Sequence, residues 1–295
     1  MPKLKTQLKN SEAIREVLKK VDLNWTWNNI PVDVHLIYLQ CTNGKCDVTP
    51  LFEVIRDSLM ANFVFSHAYI EKKLAIECPE TAEKLFKKAV RFLSQHTAQG
   101  ELGELLLFTL LDVYLGAPKI LSKVANKSAR RMPVFGADAV HAQYVDGAFR
   151  LYLGESKLFN EFKGAATKAT KSISNALKNY EHEFDLIETH INFPEIDKDL
   201  ERDLLAALDP FDNDHIGEEV LHSPCFIGFA EPSCYEDEEK CIKLYTDIAN
   251  DYITDFYSKL TKNGNRCEKT TLLMLPFSSI ENAVDGFIKY MGIEK

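Results

Sequence analysis

The chain has 295 residues, 45% hydrophobic and 27% charged, enough apolar material for one large domain or two small ones. Its net charge of −9 at pH 7 argues against a free-standing, high-affinity DNA-binding module. No run approaches the ~18 apolar residues of a membrane span, and the polar N-terminal stretch lacks the apolar centre of a signal peptide.

Ser11, with Glu12 in the first turn, caps a predicted helix over residues 11–21. Trp25 and Trp27 follow as packing anchors. VDVHLIYLQC at 32–41 alternates and is rich in β-branched and aromatic residues, which predicts a strand with His35 as an ordinary strand histidine. TNGK at 42–45 is a turn, returning into a short partner strand. Pro50, at a first helical position, starts a helix running to about residue 67. Further helices are expected over 68–75 and 81–94. Residues 1–97 thus read as an N-terminal α/β region without a catalytic signature, and 98–295 as the domain that carries one.

GELGELLLFTLLDVYLG at 100–116 predicts a strongly apolar helix. Glu101 and Glu104 lie three apart on its first turns, where early acids suit the helix dipole. Glu104 is one step deeper, beside the leucines that must face a sheet. Residues 117–131 read as a basic helix or loop. A helix over 161–180 is expected, then two more helices within 181–209. Strands at 224–232 and 269–277 alternate with helices at 236–260 and 278–292, the last capped by Ser278 or Ser279. That alternation predicts α/β crossovers that extend a sheet. The acidic loop at 209–219 has its glycine, Gly217, misplaced for a calcium loop. The seven cysteines (Cys41, Cys46, Cys78, Cys225, Cys234, Cys241, Cys267) are scattered, have no zinc spacing, and read as reduced thiols of a cytoplasmic protein.

The organising stretch is PVFGADAVHAQYVDGAFRLYLGESKLF at 133–159. Asp146-Gly147 suits a two-residue type I′ turn between two strands, because both turn positions need positive φ. Val145 then faces Ala148, and counting outward sets Asp138 opposite Glu155, about 5 Å apart at Cβ. Lys157 shares their face by alternation, whereas His141 points to the opposite face and reads as structural. Glu155-Ser156-Lys157 taken singly is a common solvated strand end. Here Leu151, Tyr152 and Leu153 make the strand apolar on both faces, so its terminal charges need partners or a metal.

Two acid-free basic islands flank the hairpin in sequence. Lys119, Lys123, Lys127, Arg130 and Arg131 precede it, and Lys163, Lys168, Lys171 and Lys178 follow it. Either island is an ordinary lysine-rich helix face, or the two together meet a nucleic-acid backbone. A helical acid (Glu104), a strand acid (Asp138) and a Glu-x-Lys pair (Glu155, Lys157) describe the core of the restriction-endonuclease-like, PD-(D/E)XK type. Its carboxylates suit Mg²⁺ or Mn²⁺. Ala137 stands where the strictest form has proline.

GELGELLLF, FGADAVH, LYLGESKLF and the C-terminal TTLLMLPF with its amphipathic helix together resemble the HamA family, nuclease subunits of the Hachiman anti-phage defence system. The resemblance is strongest from Gly100 onward. It implies a DNA nuclease restrained by, and released from, a superfamily 2 helicase partner, HamB. Glu155 and Lys157 match the family's E-x-K, Asp138 its strand acid, and Glu104 is taken for the helical acid. The competing reading is a regulatory or DNA-docking subunit of a helicase complex without hydrolytic activity. An RNA nuclease of the same fold fits the same residues.

Overall fold

The computed structural model describes residues 6–42, 45–65, 67–74, 80–121, 138–145, 148–178, 220–236 and 240–294. The N-terminal part contains α1 (Ser11–Val17), β1 (Leu18–Val21), β2 (Trp25–Trp27) and β3 (Ile30–Leu39). The short strands β4 (Cys41–Thr42) and β5 (Lys45–Cys46) follow, then α2 (Thr49–Ser58), α3 (His67–Leu74) and α4 (Glu80–Val90). Next come α5 (Ala98–Leu115), β6 (Lys119–Leu121), β7 (Ala139–Val145), β8 (Ala148–Phe159) and α6 (Phe162–Lys178). The chain closes with β9 (Leu221–His222), β10 (Cys225–Ala230), α7 (Cys241–Lys262), β11 (Thr271–Phe277) and α8 (Ile280–Met291).

One mixed sheet runs β1-β3-β11-β10-β8-β7-β6, with β2 added to β3 and β9 to β8. β3, β11, β10 and β8 are parallel, and β1, β7 and β6 are antiparallel to their neighbours. The two central strands CFIGFA and TLLMLPF are buried almost throughout, as the apolar runs of doubly covered parallel strands require. α5 packs on β8, β10 and β7, with α2 and α8 behind it, while α6 lies on β8 and β10 beside α7. Gly154 faces α5, where an added Cβ would meet Leu107 Cδ2 at 3.0 Å. β3, from the N-terminal region, pairs with β11 from Asp33↔Thr271 to Leu36↔Met274, so both parts of the chain build the same sheet.

The structure differs from the sequence reading at several ends. α1 stops at Val17, and residues 18–21 pair with β3, Leu18 against Leu39. A seven-residue helix with no side-chain cap is marginal alone, so tertiary strand pairing prevails over the helical pattern. α2 ends at Ser58 and widens into a π-helical stretch, Leu59–Val64, which seats Phe63 edge-on against Phe108 at 5.3 Å. The helix expected from 236 begins at Cys241. α8 has the expected cap, with Ser279 Oγ accepting from Asn282 N–H at 3.2 Å.

Lys119 requires a correction. Its segment forms strand β6 against β7, and the side chain is only 3% exposed, so it cannot meet a phosphate. Nζ donates to the Phe65 carbonyl at 2.8 Å. Burial pushes its pKa down to about 7, with the Asp112 charge pulling the other way. Asp112, buried on α5, accepts the Gln7 and Leu8 N–H groups at 2.8 and 3.3 Å and so fastens the N-terminal segment to the helix. Burial raises the Asp112 carboxyl to about 6 against those hydrogen bonds. His141 is fully buried on the α5 face, with Nδ1–H donating to the Ala117 carbonyl at 2.7 Å and its ring 4.9 Å from that of Phe108. Burial pushes its pKa down to about 3, so the histidine is structural, as expected from alternation. Lys123, Lys127, Arg130, Arg131 and the acidic loop at 209–219 lie outside the described residues.

Candidate active site

β7 and β8 pair from Val145↔Ala148 to Ala139↔Gly154, the register that a two-residue connection dictates. The Asp146-Gly147 dipeptide itself lies outside the described residues. Among the described residues the regular ladder ends at Ala139↔Gly154, and Asp138 lies one residue beyond it, its charge close enough to raise the Glu155 carboxyl. Asp138 N–H still donates to Gly154 O at 2.8 Å. Ser156 N–H then meets a side chain where a strand carbonyl would have stood, donating to Asp138 Oδ2 at 2.8 Å, and its hydroxyl adds a second bond at 3.0 Å. β8 continues to Phe159 paired with β10, Glu155 beside Cys225. Among the described residues, Asp138 therefore caps an edge of β8 whose opposite edge pairs with β10 from Glu155 to Phe159.

Alternation sorts the side chains. An added Cβ at Gly103 of α5 would lie 3.4 Å from Ser156 Oγ and 3.7 Å from Leu158 Cβ, so the even-numbered residues of β8 face α5. Glu155, Lys157 and Phe159 face α6. There Ser172 hydrogen-bonds Glu155, and the Lys168 ammonium lies 4.5 Å from the centre of the Phe159 ring. Lys157 Nζ donates to Glu155 Oε1 and, at 3.1 Å, to the Ser156 carbonyl. The Glu155 and Lys157 side chains are 7% and 20% exposed.

The electrostatics follow from that placement. Burial first, then the nearby Asp138 charge, raises the Glu155 carboxyl to about 7, while Lys157 and Ser172 pull it down. Burial opposes the Lys157 charge, but Glu155 and Asp138 outweigh it and hold the lysine above its ordinary value. The Cys225 thiol beside them is pushed far up by burial and stays protonated. Two carboxylates and one ammonium leave the slot with one negative charge in excess when all are ionised. A divalent cation would relieve the repulsion that keeps Glu155 hard to ionise.

Among the described residues, no group of three or more His, Cys, Asp or Glu side chains is gathered to hold a metal. The Asp138–Glu155 pair still fits Mg²⁺, which is usually held by one or two carboxylates, with waters and substrate phosphates completing the octahedron. It does not fit zinc, which wants nitrogen or sulfur donors in a closed set.

Glu104 sits half-buried on α5, next to Gly103 and therefore level with Ser156, on the opposite face of the sheet from Glu155 and Lys157. Glu101 is 2% exposed and accepts Ser94 N–H at 3.0 Å and Thr97 Oγ1–H at 2.8 Å. Its carboxylate thus serves the entry to α5. Lys163, Lys168 and Lys171 are exposed on α6. Sequence reasoning missed Ser156 and Ser172, both of which touch the acids. Ser156 lies inside the Glu-x-Lys triplet and is visible once a capped edge is looked for, whereas nothing in sequence ties Ser172 to Glu155.

A mixed α/β protein with paired acids and a lysine at an interrupted sheet ladder is the class that these features define. The HamA family model matches residues 14–291, and the chain belongs to that family. Membership points to a role in Hachiman anti-phage defence. No curated protein matches the chain. Among the described residues no helix is long and apolar enough to cross a membrane.

Proposed function

We propose that this chain is a Mg²⁺-dependent DNA endonuclease with a PD-(D/E)XK-like core, the effector of a Hachiman complex whose other subunit is the helicase HamB. The observation that supports the reading is the Asp138 carboxylate held at Ser156, beside Glu155 where the β7–β8 pairing ends, with Lys157 on the Glu155 face. Asp138 and Glu155 are the metal-holding carboxylates, and Glu104 joins them from α5 around the open strand edge. When bound, Mg²⁺ or Mn²⁺ polarises a phosphate oxygen and acidifies a bound water.

The chain's own groups supply the rest. Lys157 is held charged by its two acids, so it acts as a hydrogen-bond donor and positive charge toward the phosphate rather than as a base. Ser156 fixes the rotamer of Asp138 through two hydrogen bonds. Ser172 and Lys157 together orient Glu155. The exposed α6 lysines Lys163, Lys168 and Lys171 meet the nucleic-acid backbone.

Manganese titration by calorimetry, in buffers of differing ionisation enthalpy, tests the metal centre. Binding near pH 7 is expected to release protons, because the Glu155 pKa of about 7 must fall as the cation approaches. The release should vanish in Glu155→Gln. A wild type that binds no Mn²⁺ in the presence of DNA contradicts the assignment.

The two helical acids separate by their failures. Glu101→Ala strands the buried Ser94 amide and is expected to cost about 2 kcal/mol of stability. Glu104→Ala, at a half-buried position, is expected to cost less stability than Glu101→Ala and to lower cleavage. Thermal melts and cleavage rates on both variants decide it.

A further inference from the structure

A cleft of about 400 Å³ opens where α6 and α7 end, with Leu177 and Leu221 on its apolar wall and Lys178, Arg266 and Lys269 around it. Among the described residues that line it, none is acidic. Two separate paths place it beside the candidate centre. Along α6, Ser172 bonds Glu155 and Ser174, two residues on, lines the cleft. Along the approach to β10, Glu155 N–H donates to Pro224 O at 2.9 Å, and the preceding Ser223 lines it too.

Helix dipoles explain only part of this charge. Lys178 is in the last turn of α6, and Lys259 and Lys262 are in that of α7, where cations offset the carbonyl ends. Arg266 and Lys269 lie beyond α7, outside the reach of that effect. Their backbone is fixed by structure: Ser223 N–H donates to the Lys269 carbonyl at 2.8 Å, and Thr270 Oγ1–H donates to the Arg266 carbonyl at 3.0 Å. Arg266 pairs with Glu268 at 2.8 Å, both side chains nearly half exposed, and such a surface pair exchanges readily for a phosphate. Lys171 and Lys178 are seven residues apart, two helical turns, so the exposed lysine face of α6 runs past Ser172 into the cleft.

We propose that this cleft grips the substrate's phosphodiester backbone beside the scissile position. The assignment rests on the nuclease reading above. At 1.5 Å per helical residue, Lys178 lies about 9 Å beyond Ser172 along α6. That is roughly two or three nucleotides at 3.4 Å rise per strand. The cleft holds the strand by charge and by apolar contact with its sugars, and it reads no base.

Fluorescence anisotropy of a labelled DNA duplex, with the full chain in EDTA across a salt series, tests the cleft without turnover. Arg266→Ala/Lys269→Ala is expected to weaken binding about tenfold and to make the slope of log affinity against log salt shallower by about 2. Lys178→Glu, an exposed change in a last helical turn, is expected to weaken binding similarly, and it serves if the double variant fails to fold. Lys87→Ala, exposed on α4, should bind as wild type does. Cleavage of the same duplex in Mg²⁺ is followed in parallel. Unchanged affinity and salt slope in folded cleft variants, with a wild type that cuts, overturn the cleft and leave the nuclease standing. A wild type that neither binds nor cuts, alone or with HamB, ATP and damaged DNA, overturns both.

Discussion

Lys157→Ala is expected to lower DNA cleavage by about a thousandfold or more, the usual cost of losing a preorganised charge aimed at a transition state. The lysine is fixed by Glu155 and by the Ser156 carbonyl, so its ammonium needs no reorganisation as charge develops on the phosphate. Lys157→Arg should rescue little, because a planar fork does not reproduce a compact ammonium in a slot this tight. Glu155→Ala should be as inactive for a different reason, namely loss of an acid proposed to hold the metal. The two variants separate by metal binding: Lys157→Ala retains both carboxylates and should bind Mn²⁺ at least as well as wild type, whereas Glu155→Ala should bind it weakly. Single-turnover cleavage and Mn²⁺ calorimetry measure the two quantities.

His141→Gln is expected to gain about 3 kcal/mol relative to wild type as pH falls from 6.5 to 4. The folded His141 titrates at about 3, well below its ordinary 6.5. Below 6.5 the unfolded chain therefore takes up a proton that the native imidazole refuses, and its contribution to stability is lost progressively down to about pH 3. Asp112 and Glu155 act in the opposite sense. Their pKa values are raised to about 6 and about 7, so the folded state binds their protons first, and their contribution to stability grows as pH falls through those values. The wild-type profile is thus a sum of opposed slopes, and only the difference between variant and wild type isolates the histidine. Glutamine keeps a donor for the Ala117 carbonyl without a titrating ring. Urea denaturation at pH 6.5, 5 and 4 measures the difference, and parallel curves for the two proteins would refute the assignment.

The hairpin was legible because it is local. A turn dipeptide with positive-φ preference sets the pairing sum, and the observed Ala139↔Gly154 pair lies six steps beyond Val145↔Ala148 along that same register. The apolar runs of β10 and β11 were legible for a similar reason, since strands covered on both faces leave no polar alternation to misread. Lys119 was misread because a lysine in an acid-free stretch looks exposed. Its burial depends on the Phe65 carbonyl, 54 residues away, and nothing at 119 signals that. The break at Val17 likewise depends on β3, which supplies partners to residues 18–21. The register places Asp138 one residue beyond the last pair, Ala139↔Gly154. That Glu104 approaches from the other face required knowing which side of β8 receives α5, and this is decided by Gly103 and Gly154, the two positions where helix and strand pack closest.

Plasmid cleavage by the wild-type chain, alone and with the proposed helicase HamB, ATP and damaged DNA, in Mg²⁺ and in EDTA, tests the central claim most directly. The account predicts nicking or linearisation in Mg²⁺ that EDTA abolishes and that Glu155→Ala/Lys157→Ala lacks. A wild type inert under all these conditions, or a double variant that cuts as fast, would contradict it. The first result would leave a DNA-docking subunit, and the second would move the catalytic centre away from Asp138, Glu155 and Lys157.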